Sequence, residues 1–152
     1  MSGIKYIMHV GICVADLDRA IRFYRDGLGF AEAGGLEVAG EPTATLLGLS
    51  SDLKLRAVYL EREGFRIELL DYPMPGIVGD TTPRPMNQLG LTHLALRVTS
   101  LENTIARIRE FGGKLIEGSQ VSNEDYGSQI AYATDPDGTR LELIETASDP
   151  TR

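Results

Sequence analysis

The pattern of apolar and polar positions in this chain occurs twice. From His9, the run HVGICVADLDRAIRFYRDGLG aligns without a gap on HLALRVTSLENTIARIREFGG from His93. Val14 falls on Val98, Leu17 on Leu101, Ile21 on Ile105, Arg25 on Arg109 and Gly29 on Gly113. Residues 4–14 (IKYIMHVGICV) and 91–98 are rich in β-branched and apolar types and predict strands. Asp16 and Ser100 then offer N-caps. Behind them, Leu17, Ala20, Ile21 and Tyr24, and Leu101, Ile105 and Ile108, recur at helical spacing until glycines stop each helix: Gly27 and Gly29 in the first copy, Gly112 and Gly113 in the second.

Three extended segments follow each helix, near 29–38, 54–61 and 65–71 in the first half and near 114–119, 128–134 and 139–145 in the second. The last pair in each half reads as a hairpin, with turns at Arg62-Glu63-Gly64 and Asp135-Pro136-Asp137-Gly138. GFRIELL from Gly64 aligns on GTRLELI from Gly138. Each half is therefore β-α-β-β-β, and the fold class expected is α+β. We expect one domain over 1–152, with module 1 at about 4–71, a crossover at about 72–90 and module 2 at about 91–146. The insert 39–53 is expected to form a short helix or lid. The crossover holds Pro73, Pro75, Pro83 and Pro85 and is expected to run extended on the surface. The closing TASDPTR is expected to fray.

The repeat matters because each copy supplies one His and one Glu. The only two histidines are His9 and His93, and Glu68 and Glu142 sit midway in the last strand of each half. Taken singly, each has an ordinary explanation. A lone His in an apolar strand is commonly a satisfied structural residue. Each Glu shares a strand face with an Arg, Arg66 or Arg140, and these pairs alone would make an ion-paired surface. The conjunction points elsewhere. Glu68 lies among Ile67, Leu69 and Leu70, company in which a carboxylate needs a cation or a cavity. Two His and two Glu in equivalent places are nitrogen and oxygen donors suited to a divalent metal.

Composition narrows the field. The net charge of −7 argues against nucleic acid or an anionic membrane as partner, but not against an anionic substrate beside a metal. Cys13 is the sole cysteine, so no internal disulfide is possible. With no secretory signal and no apolar run long enough to span a bilayer, the expected location is cytoplasmic. Cys13 falls on the strand face of His9 and is read as a small buried hydrophobe. Tyr59, Tyr126 and Tyr132 can line a cavity but are read as core.

HVGICVADLDRAIRFYRDGLGF, GLTHLALRV and DPDGTRLELIE resemble the vicinal oxygen chelate superfamily, which includes glyoxalase I, methylmalonyl-CoA epimerase, extradiol dioxygenases and the fosfomycin and bleomycin resistance proteins. The resemblance covers nearly the whole chain apart from the insert and the crossover. It implies two tandem βαβββ modules forming a curved mixed sheet around a metal held by His9, Glu68, His93 and Glu142. The four-ligand set is closest to glyoxalase I, since epimerases usually carry Gln at the place of Glu68, and extradiol dioxygenases and fosfomycin transferases use two His and one Glu.

The implied function is a metal-dependent lyase/isomerase or epimerase. It would transfer a proton next to a carbonyl through an enediolate or enolate stabilised by Ni, Co, Mn, Fe or Zn, with Glu142 or Glu68 as general base. The substrate would be a small molecule with vicinal oxygens, and the assembly a homodimer. The alternatives are an extradiol-type Fe(II) dioxygenase and a non-catalytic drug-binding resistance protein. Two positions depart from the glyoxalase I pattern. Cys13 stands where an Arg binds a glutathione carboxylate, and Tyr72 stands where the family has Asn. Asp52, in the insert, is the acid nearest to the place of the epimerases' additional Glu.

Overall fold

The computed structural model describes residues 3–125 and 127–147. Tyr126 and residues 148–152, which make up most of the expected frayed tail, lie outside the described residues. Two compact units divide the chain, Met1–Gly79 and Asp80–Arg152.

In the first unit, strand β1 (Val10–Cys13) leads into helix α1 (Leu17–Ile21), which continues as a wider turn over Arg22–Gly27. Asp16 caps α1 by accepting the Arg19 amide at 2.9 Å. The helix and its wider turn bury Leu17, Ala20 and Tyr24 as their spacing predicts, but Ile21 of the expected stripe is only half-buried and Phe23 is buried as well. β2 (Ala31–Ala39), α2 (Thr43–Leu47), β3 (Lys54–Arg62) and β4 (Phe65–Met74) follow. They form a mixed sheet in the order β1-β4-β3-β2, with β1 parallel to β4 and the other pairs antiparallel. The insert does form a short helix, α2. Ala44 in α2 is buried with Leu53 and Leu55, and Val38, Leu70 and Tyr72 pack against that cluster.

The second unit repeats the plan. β5 (Leu94–Val98) precedes α3 (Leu101–Glu110), capped by Ser100 through the Asn103 amide at 3.2 Å. β6 (Lys114–Leu115), β8 (Ser128–Thr134) and β9 (Arg140–Thr146) complete a sheet ordered β5-β9-β8-β6, with β7 (Val121–Asn123) also paired to β8. As in the first unit, the opening strand runs parallel to the closing one. The fold is α+β, with one curved mixed sheet in each unit.

The structure differs from expectation at several edges. β1 starts at Val10 rather than at residue 4, and Ile4, Tyr6, Ile7 and Met8 are exposed. Its register explains this. Val10 pairs with Ile67, so the partner strand β4, which starts at Phe65, begins only two residues before that pair and the parallel ladder ends there. The expected strand 114–119 is extended strand only over Lys114–Leu115, with the Ile116 amide still donating to the Tyr132 carbonyl, and β7 pairs further along β8. Crossover residues 72–74 belong to β4, and Thr146 of the expected tail belongs to β9.

Burial on the closing strands alternates with period two. Ile67, Leu69 and Asp71 of β4, and Leu141 and Leu143 of β9, are buried against the helical side. Arg66, Glu68, Leu70 and Tyr72, and Arg140, Glu142 and Ile144, therefore occupy the opposite face. That face carries the candidate chemistry.

Candidate metal and proton-transfer site

Strand pairing brings the sequence-predicted residues together two by two. In the first unit β1 lies beside β4, with Gly11 opposite Glu68, so His9 just before β1 falls on the same face. His9 Nε2 lies 3.0 Å from Glu68 Oε2. In the second unit Ala95 is opposite Glu142, and His93 Nε2 lies 3.1 Å from Glu142 Oε2. The glutamate side chains are 14% and 19% exposed and the histidines 27% and 25%, shielded from bulk water yet reachable. Each unit therefore presents the same His–Glu pair.

A tyrosine completes each pair. Tyr59 on β3 is opposite Glu68, and Tyr132 on β8 is opposite Glu142. The Tyr132 hydroxyl donates to Glu142 Oε1 at 3.0 Å, leaving Oε2 for His93. The ring centroids of His9 and Tyr59 are 5.5 Å apart and those of His93 and Tyr132 are 5.7 Å apart. The hydrogen bond to Glu68, reinforced by burial, raises the Tyr59 pKa, and Arg66 pulls the other way. For Tyr132, burial acts first and the Glu142 bond second, again against Arg140. Both phenols are thus held as protonated donors to a carboxylate.

These tyrosines are not the core residues expected from the sequence. The signal that would have found them is the cross-strand register. It is hidden in the linear alignment because Tyr59 stands nine residues before Glu68 and Tyr132 ten before Glu142.

The alternative of an ion-paired strand face does not hold for these glutamates. Arg66 pairs with Glu61 at 2.7 Å, and Arg140 donates to the Arg84 carbonyl at 2.7 Å. Cys13, expected to be buried, is exposed, because β1 turns its Gly11 and Cys13 side outward and its Ile12 and Val14 side inward. Asp52 is hydrogen-bonded by the Ser50 hydroxyl within its own loop. Tyr72 sits on the Glu68 face, and burial, with the Cys13 and Glu68 charges behind it, raises its pKa.

The donor set fits a divalent ion. Two ligands in adjacent positions of an octahedral ion, with bonds of about 2.1 Å, stand about 3.0 Å apart. That is the spacing of each Nε2–Oε2 pair. The same spacing makes a hydrogen bond when a proton lies between them. Next to the His9–Glu68 pair, a Cβ at Gly11 would crowd Leu70 Cδ1 at 3.2 Å. Among the described residues no group of three or more His, Cys, Asp or Glu side chains gathers as a complete cage, and each unit holds two donors.

A family model for the Glyoxalase/Bleomycin resistance protein/Dioxygenase superfamily matches residues 6–143. The chain belongs to that superfamily. A relative named probable lactoylglutathione lyase, from Synechocystis, is 30% identical over 145 residues, spanning 94% of this chain and 97% of its own. The fold is similar to a glyoxalase family protein from Bacillus cereus, with a TM-score of 0.82 at 23% identity over 97% of both chains. It is also similar to a fosfomycin resistance protein from Listeria monocytogenes in complex with Mn(II) and sulfate. There the TM-score is 0.58 at 16% identity, over 95% of this chain and 94% of that one. No helix among the described residues is long and apolar enough to cross a membrane.

Proposed function

We propose that this superfamily member is a metal-dependent enzyme that moves a proton next to a carbonyl, as a glyoxalase I-like lyase/isomerase or an epimerase, and that it works as a homodimer. The observation that carries the reading is the doubled His–Glu pair, each glutamate also held by a tyrosine. His9, Glu68, His93 and Glu142 would together hold one divalent ion, with Ni, Co, Mn, Fe and Zn all compatible with two imidazoles and two carboxylates. When bound, the ion supplies Lewis-acid polarisation of substrate oxygens.

The chain's own residues supply the proton handling. Glu68 and Glu142 are carboxylates of equivalent placement, suited to serve as general base on either side of a carbon acid. Tyr132 ties one oxygen of Glu142 and leaves the other directed toward His93. A tied carboxylate loses less orientational freedom when it meets a substrate proton. The name of the Synechocystis relative and the Mn(II) in the Listeria protein support this direction. Glu68 has the same kinds of partner as Glu142, which favours four ligands over the three-ligand arrangement of an oxygenase.

Cys13 and Tyr72 stand where a glutathione-specific enzyme carries Arg and Asn, so the substrate test needs both hemithioacetals and acyl-CoA esters. With whichever class turns over, E68Q and E142Q are expected to lower kcat by about 10²–10⁴-fold, the usual worth of a positioned general base. An E68A variant that keeps its turnover on a catechol and consumes O2 would contradict the proposal.

A further inference from the structure

The two half-sites differ behind the histidines. On the far side of the His93 ring, Nδ1 lies 2.9 Å from Thr92 Oγ1. The residue before His9 is Met8, which has no hydroxyl, and among the described residues the buried His9 Nδ1 finds no hydrogen-bond partner. We infer that Thr92 is a positioning residue that makes His93 the anchoring imidazole, leaving His9 as the weaker one. The part of this inference that concerns metal affinity rests on the proposed function above.

Histidine chemistry gives the reason. Nε2 faces the Glu142 carboxylate at 3.1 Å, an acceptor, and in the neutral tautomer that donates to it from Nε2 the other nitrogen, Nδ1, is an acceptor. For Nε2 to become a ligand its proton must leave, and the neutral ring then carries a proton on Nδ1. Thr92 serves both forms, because a hydroxyl donates to a bare Nδ1 and accepts from a protonated one by rotating its own hydrogen. His9 has no such partner. Its Nδ1 passes from an unsatisfied buried acceptor to an unsatisfied buried donor, and a buried donor left unmade weakens whatever state requires it. Partners of this kind behind a ligating histidine fix the ring and raise metal affinity.

The test compares wild type with T92V, which keeps the shape and removes the hydroxyl, and T92S, which restores it. Circular dichroism first establishes that each variant is folded. The first readout needs no metal. With histidine labelled with ¹⁵N, His93 Nδ1 is expected to resonate apart from His9 Nδ1 in wild type, to move to the His9 position in T92V, and to stay apart in T92S. The second readout is Co²⁺ affinity by competition with a chromophoric chelator, expected to fall about 10–100-fold in T92V and to return in T92S.

A His93 signal and a Co²⁺ affinity that ignore T92V would overturn the inference, as would T92S behaving like T92V. The two readings fail separately. A wild type that takes up no Co²⁺ while its His93 signal responds to T92V removes the metal proposal and keeps Thr92 as the ring's partner. Full Co²⁺ uptake with an unresponsive His93 does the reverse.

Discussion

At the scale of single residues, the candidate site depends on what stands next to each ligand rather than on the ligands alone. Four residues were legible in the sequence because His9 and His93, and Glu68 and Glu142, fall at equivalent places in an ungapped repeat. Their partners were not. A tyrosine in a strand gives no linear sign of whether it faces core or carboxylate, and only the register of β8 on β9 puts Tyr132 on Glu142. Removing that phenol oxygen should cost little stability and should loosen the carboxylate. We expect Tyr132→Phe to lower the unfolding free energy of the metal-free protein by about 1 kcal/mol in a urea titration, the net worth of one hydrogen bond. A change several times larger would mean that Tyr132 is part of the packing. Cys13 is exposed rather than buried for a related reason. Its strand period places it with His9, and the face opposite the helices is not the buried one.

At the scale of elements, hydrophobic periodicity was a sound guide to type and order and a poor one to ends. Both helices lie where Asp16 and Ser100 cap them and the apolar spacing runs, and the hairpins close at the turns expected. Strand ends depend on a partner's length, which a single segment does not encode. β1 is short because β4 turns back, and its apolar run IKYIM carries no mark of that.

The first hairpin turns through Glu63 and Gly64, both at positive φ, the conformation a two-residue hairpin requires. The second turns through Gly138 at φ +92, where a Cβ would stand 2.2 Å from the Thr81 carbonyl oxygen. Gly138→Ala should therefore destabilise the protein by well over 1 kcal/mol, through both the backbone conformation and the collision with main chain. An unchanged thermal midpoint would show that the loop at Thr81 yields freely. Ile67→Ala on the buried face of β4 should cost about 2–5 kcal/mol, while Phe65→Ala, on the exposed start of the same strand, should cost far less. Equal losses at the two positions would contradict the assignment of faces.

At the scale of the whole molecule, the chain is a duplicated unit in which each copy carries one His–Glu pair, half of the proposed ligand set. Neither copy holds more than one imidazole and one carboxylate of the proposed four. Two donors rarely hold a divalent ion with the affinity of three or four, so the function proposed requires that the halves act together. The homodimer is part of that proposal. Light scattering at micromolar concentration is expected to give twice the chain mass, and a monomer would count against it.

The central proposal is that His9, Glu68, His93 and Glu142 serve as ligands of a divalent ion. Elemental analysis of protein purified without chelators, run beside the His93→Ala variant, tests it most directly. The account predicts about one divalent ion per chain in the wild type, from the ligand count of a single site, and its loss in the variant. Wild-type protein without metal, or a variant that keeps it, would contradict the account.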